Sequence, residues 1–193
     1  MNICLVEPFH GGSHAAWAEE FARHSRHQVR LLTLSGRRWK WRMHGGAVTL
    51  ARQFIESGFE PDLLLASDML DLTSFLALTR SKTADLPTAL YFHENQLTYP
   101  WSTNGANPKQ QRAHYAFINY TSAMAADIVL FNSRFHLDSF IGQLPEFLAG
   151  FPDHYQPPLY RLTRLPVAWL VTARGCPYHG CTFCDRSLLG SSY

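Results

Sequence analysis

The apolar positions of this chain fall in short blocks that alternate with longer amphipathic stretches. Ile3 to Val6, Val29 to Leu34, Leu63 to Ala66, Thr88 to Phe92 and Asp127 to Phe131 read as five strands. Between them, His14 to Arg23 reads as a helix with Ser13 as its N-cap, and Ala47 to Glu56 as a second that ends near Gly58. Leu72 to Thr79 gives a short helix, Gln110 to Ala125 a long one, and Ser133 to Phe147 another with Ser133 as cap. Continuous apolar strands alternating with helices predict a parallel sheet covered on both faces. Right-handed crossovers then make residues 1–150 a Rossmann-like, doubly wound α/β domain.

Ligands in such sheets lie beyond the carboxyl ends of the strands. That rule singles out Glu7 to His14, Ala66 to Asp71, His93 to Pro100 and Asn132 to Arg134. After Gly150 the character changes, and Phe151 to Pro158 has the composition of a linker. The expected organisation is therefore a domain over 1–150, a linker over 151–165 and a truncated cysteine-rich fragment over 166–193. That fragment opens on a strand-like run, Val167 to Val171.

Composition narrows the class. Hydrophobic residues make up 46% of the 193 and charged residues 17%, ordinary for a globular chain with one sizeable core. A net charge of +2 is too small to argue for nucleic acid, so any such argument must rest on where the cations cluster. Cys4 stands alone while Cys176, Cys181 and Cys184 crowd together, which makes no disulfide framework and points to a reducing compartment, the cytoplasm. The first residues lack the basic and long apolar regions of a signal peptide, and no stretch approaches bilayer-spanning length, so no membrane partner is expected.

Five segments carry candidate chemistry. Gly11, Gly12, Ser13 and His14 join the first strand to the first helix. Two glycines let a backbone approach a ligand, and a helix N-terminus behind them suits a phosphate or a sugar hydroxyl. The segment is neither a dinucleotide fingerprint nor a P-loop, and a tight turn needing glycine for geometry explains it equally. His93, Glu94, Asn95 and Gln96 follow the fourth strand directly. A helix cap or loop network would explain one polar residue there, but four together favour a site, in which histidine can transfer a proton or donate to a sugar oxygen and glutamate can accept from a hydroxyl. Asn132, Ser133 and Arg134 follow the fifth strand, where a helix cap competes with an anion contact through the arginine.

Arg37, Arg38, Lys40 and Arg42, interleaved with Trp39 and Trp41, form the dense basic run. Such a run can stack on bases and pair with phosphates, or it is a solvated loop over packed tryptophans. His44, Gly45 and Gly46 suggest a flexible turn after it. Cys176, Cys181 and Cys184 could hold three irons of a [4Fe–4S] cluster and leave one iron open. With His179 they could instead make a cramped zinc knot, or they are an unused remnant.

Ile3 to His14, Arg38 to Arg42, Tyr91 to Pro100, Phe131 to Phe135 and Pro152 to His154 together closely resemble the N-terminal domain of the tRNA-queuosine alpha-mannosyltransferase family. The Tyr91 to Leu97 segment is the most specific part, and the resemblance covers about residues 1–156. It implies a GT-B glycosyltransferase, in which two Rossmann-like domains face each other across a cleft. It also implies transfer of mannose from GDP-mannose to queuosine in the anticodon of tRNA-Asp, with no catalytic metal or other cofactor. Carried over by position, Gly11, Gly12 and Ser13 line the cleft, and His93 and Glu94 lie near the transferred sugar. Arg37, Arg38, Lys40 and Arg42 are candidates for tRNA contact on charge. The family continues into a donor-binding domain, so this chain is expected to be an acceptor-side half that catalyses poorly alone, or a tRNA-binding module without chemistry. Leu165 to Asp185 resembles instead the opening of a radical S-adenosylmethionine domain, with four residues between the first two cysteines where three are usual. That tail leaves a fragment of an iron–sulfur enzyme as a further alternative.

Overall fold

The computed structural model describes residues 1–100, 108–151 and 167–169. In chain order the elements are β1 (Asn2–His10), α1 (Gly12–His24), β2 (Gln28–Ser35), α2 (Trp39–Glu56), β3 (Leu63–Ser67), α3 (Leu72–Leu78), α4 (Arg80–Thr83), β4 (Thr88–Phe92), α5 (Pro108–Ala125), β5 (Ile128–Phe131), α6 (Arg134–Ala149) and β6 (Val167–Trp169). The sheet order is β2-β1-β3-β4-β5-β6, and every neighbouring pair is parallel. The doubly wound α/β fold expected from the alternation is the fold observed. The order reverses between β1 and β3, and in such sheets ligands bind at that point, beyond the carboxyl ends of the strands.

Period-two alternation divides the strands between two cores. Cys4, Val6, Leu64, Ala66, Leu90 and Phe92 face α2, α3, α5 and α6. Ile3, Leu5, Leu65, Ala89 and Tyr91 face α1, which contributes Trp17, Ala18 and Phe21. Phe92 stacks on Phe131 with centroids 4.9 Å apart and meets Phe140 at 5.2 Å, which ties α6 to the sheet centre. Fully burying each such side chain contributes about 1.5–3 kcal/mol.

Several boundaries differ from those the sequence predicts, each for a local reason. β1 runs on to His10, because Glu7 still pairs with Thr33 of β2 and His10 with Ser35 after a register shift. α1 begins at Gly12, so its N-cap is Gly11 rather than Ser13, and no side chain caps it. α2 begins at Trp39, eight residues earlier than Ala47, so the basic run opens a helix and the expected turn at His44, Gly45 and Gly46 lies inside it. Gly46 has a packing role there: a Cβ at that position would stand 3.2 Å from Pro8 Cβ, so glycine lets α2 approach β1. Ser133 does cap α6, accepting from the His136 N–H. Asp71 caps α3 in the same way through Ser74.

β6 matches the strand-like run expected near Val167, and Leu130 pairs with Ala168 across it. Three residues of the expected tail are thus joined to the domain's sheet. Cys176, Cys181 and Cys184, and nearly all of the 151–165 segment, lie outside the described residues.

Candidate functional site

The site assembles at the carboxyl ends of β1, β3 and β4. Glu7 lies near the end of β1 with its side chain fully buried. One carboxylate oxygen accepts the Phe9 N–H at 2.8 Å, and the other accepts Nδ1–H of His14 at 3.0 Å. His14 is placed for this contact because α1 starts at once after the glycine turn and buries its first inward side chain. Asp68 follows β3 and is fully buried; its Oδ1 accepts the backbone N–H of His93 at 2.9 Å. The His93 ring lies over His14 with centroids 4.1 Å apart and meets the edge of Trp17 at 4.6 Å. Its Nε2 is 3.9 Å from the Glu7 carboxylate, beyond hydrogen-bonding distance.

Burial and mutual charge set the protonation of this group. Burial alone would depress His14, but the charge of Glu7 and its hydrogen bond more than reverse this, with help from Asp68 and Glu94, and lift the imidazole to about 9. His93 is held well below the usual histidine range by burial first, then by His14 and His136. Burial raises the Asp68 carboxyl well above its ordinary value, against the attraction of His14. Glu94 is raised for the same reason, opposed by His14 and by the Gln96 amide, which donates to it at 3.3 Å. Asp68 Oδ2, Ser67 Oγ and His93 Nε2 are buried with no hydrogen-bond partner. Buried polar atoms are ordinarily paired, so three orphans at the ends of adjacent strands make this the candidate place for a bound group or ordered water. Among the described residues, Glu7, His14 and His93 also bring ligand atoms within 4.8 Å of one another, the spacing of a metal-binding set. Here the Glu7 and His14 atoms are spent on each other at 3.0 Å, a closed ion pair rather than an open chelate.

The remaining expected site residues divide into framework and rim. Asn95 is buried; its carbonyl accepts the Thr98 N–H, and its amide donates to His136 Nε2 at 2.6 Å. Asn132 accepts from His136 Nδ1 at 3.0 Å and donates to the His93 carbonyl at 2.7 Å. Both ring nitrogens of His136 are thereby used by one neutral tautomer, and burial depresses its pKa to about 4. Gln96 is held through its backbone N–H by Asn119, whose amide also reaches the Asp68 carbonyl. Asn95, Asn132 and Ser133 therefore hold the His93 loop and the start of α6. Arg134 is exposed and forks onto Asp138, one turn along its own helix.

Gly12 and Ser13 are exposed above the buried cluster, at the uncapped start of α1. Gly36 crosses Gly11 so closely that a Cβ on Gly36 would stand 2.7 Å from Gly11 Cα, which places the β2–α2 loop against the glycine turn. Arg37, Arg38 and Lys40 are exposed just beyond, with Trp41 72% exposed beside them. Arg42 is folded back onto Ser35, donating to its carbonyl and its hydroxyl. His44 and His114 stack at 4.6 Å and join α2 to α5 along the same rim.

Sequence reading missed Glu7, Asp68, Trp17, Asn119 and His136 as members of the site. Glu7 and Asp68 fall in the strand-end segments that topology singles out, and that was their signal. Trp17, Asn119 and His136 sit inside helices, and only the folded contacts bring them in.

The fold, with a buried polar cluster at its switch point, is of the doubly wound, Rossmann-like α/β class. A family model described as the N-terminal region of tRNA-queuosine alpha-mannosyltransferase matches residues 2–164, and the chain belongs to this family. It is 35% identical over 153 residues to a tRNA-queuosine alpha-mannosyltransferase of Drosophila melanogaster; the match covers 79% of this chain and 39% of the fly protein. The chain thus spans about two fifths of the length of that relative.

Proposed function

We infer that this domain is the acceptor-side wall of a GT-B glycosyltransferase cleft, which moves mannose from GDP-mannose to queuosine in the anticodon of tRNA-Asp. The observation that carries the reading is the convergence of Glu7, His14, Asp68, His93 and Glu94 beneath the glycine turn, with polar atoms left unpartnered. Family membership supplies the reaction class, and the cluster supplies groups suited to it. A neutral His93 can accept a hydrogen bond from a sugar or acceptor hydroxyl, and the Glu94 carboxyl, its pKa raised by burial, can take part in a second one. Free N–H groups at the start of α1, uncapped by any side chain, favour the negative charge of a departing diphosphate. This chemistry needs no metal from these residues. The cytoplasm is its setting, in keeping with the free, buried Cys4.

The basic rim supports RNA as the acceptor's carrier. Arg37, Arg38 and Lys40 open α2 beside the glycine turn, and Trp41 offers an exposed ring for stacking. The test has two arms. In gel shifts the chain should bind queuosine-containing tRNA-Asp more tightly than the same tRNA with guanosine at that position; equal affinity would overturn the acceptor assignment. Labelled mannose from GDP-mannose should appear in the tRNA only when a donor-binding domain completes the cleft, and robust transfer by this chain alone would contradict the one-wall reading.

A further inference from the structure

We propose that Glu7 and His14 are positioning residues: Glu7 fixes the cluster's imidazolium proton on His14 through their buried hydrogen bond, and the adjacent His93 ring stays neutral at the cleft. The inference rests on reading His93 as the imidazole that meets the sugar or acceptor. It adds how that imidazole is kept in a form able to accept a hydrogen bond.

Geometry carries the argument. The His14 and His93 rings are 4.1 Å apart at a 40° tilt, too close for both to hold a proton's charge away from water. At most one ring can take the charge, and the contacts decide which. His14 points Nδ1–H at a fully buried Glu7 oxygen 3.0 Å away, so its cation is paired. His93 has no such partner: the same carboxylate is 3.9 Å from its Nε2.

Each element around His93 agrees. From β1 comes Glu7, already engaged by His14 and by the Phe9 N–H. From α1 come His14 and the edge of Trp17. After β3, Asp68 spends Oδ1 on the His93 backbone N–H rather than on its ring. From β4, Tyr91 presents its ring edgewise at 4.8 Å. After β5, Asn132 holds the His93 carbonyl, and from α6 His136 stands neutral behind it. Glu94, next in the chain, is bonded to the Gln96 amide.

A buried histidine that served only to pack would not need a fully buried carboxylate opposite it. An isolated buried carboxylate is costly, and here its cost is offset by the His14 charge together with the Phe9 N–H. The pair therefore fixes a charge at a chosen ring and spares the next one.

The experiment is two-bond 15N–1H correlation spectroscopy of the uniformly labelled full chain between pH 5 and pH 9. At pH 7 both His14 nitrogens should give imidazolium shifts, while His93 should show one protonated and one bare nitrogen. Substituting His14→Gln removes the competing cation and leaves the carboxylate, so the His93 midpoint should rise by about 1–3 pH units, the range for a nearby charge. Glu7→Gln should instead discharge His14 at neutral pH. A charged His93 in the unsubstituted protein, two neutral rings at pH 7, or an unmoved His93 midpoint in a folded His14→Gln protein would each overturn the proposal. The spectra of the unsubstituted chain decide the main point even if a variant fails to fold. They need neither sugar nucleotide nor tRNA, so a negative mannose-transfer result would leave them standing and would count against the site reading alone.

Discussion

At the scale of single residues, the protonation states make opposite demands on stability. His14 in the folded protein holds its proton up to about 9, against 6.5 for an ordinary histidine. Its contribution is therefore fully present below about pH 6.5 and is lost as pH rises through 9. His136 is depressed to about 4, so its contribution is present above 6.5 and is lost as pH falls toward 4. Urea midpoints measured across pH should fall on both sides of a maximum near pH 6.5. Glu7→Gln should flatten the alkaline limb, because without the carboxylate His14 gains nothing from its proton. His136→Gln should flatten the acid limb. Neither effect is visible in the composition, because it depends on which neighbours each histidine meets.

At the scale of elements, caps and close approaches give the clearest expectations. Ser133→Ala removes the α6 cap that accepts from His136 N–H, and should cost about 1 kcal/mol in chemical denaturation. Gly46→Val should cost about 1–3 kcal/mol by forcing α2 off Pro8, whereas Gly45→Ala, with nothing within 4 Å of the new Cβ, should stabilise α2 by up to about 1 kcal/mol through helix propensity. These two glycines show what was legible in the sequence and what was not. The strands, their order of appearance and the Ser133 cap follow from local pattern and were read correctly. Gly45 and Gly46 look like a turn because glycine is a poor helix former. The reason Gly46 sits in a helix is Pro8, thirty-eight positions earlier in the chain, and no local window contains it. The site divides in the same way. His93 and Glu94 announce themselves at a strand end, while His14's role depends on Glu7 and that of Asn132 on His136. Those pairings belong to the folded contacts.

At the scale of the molecule, the two cores and the sheet order set where function can sit. Leu90→Ala removes a fully buried side chain from the central strand and should cost about 2–5 kcal/mol, unfolding the site together with the sheet. The basic rim should behave independently of that core. Replacing Arg37, Arg38 and Lys40 with Ala should leave the thermal midpoint nearly unchanged while weakening tRNA binding and flattening its dependence on salt, since fewer counterions are released. Arg42→Ala should instead lower stability, because that guanidinium is bound to Ser35. An affinity unchanged in the triple variant would move the RNA surface elsewhere.

The crossing of Gly11 and Gly36 has a mechanical consequence. Adjacent loops usually adjust to one another through the side chains between them, which rotate and slide. Here the two main chains touch, with Gly36 N–H donating to the His10 carbonyl at 3.0 Å and no side chain in the gap. The β1–α1 turn and the basic opening of α2 are therefore geared together. A load placed on Arg37 or Arg38 by a bound polyanion reaches the start of α1 through bonded backbone, a stiff linkage with little slack.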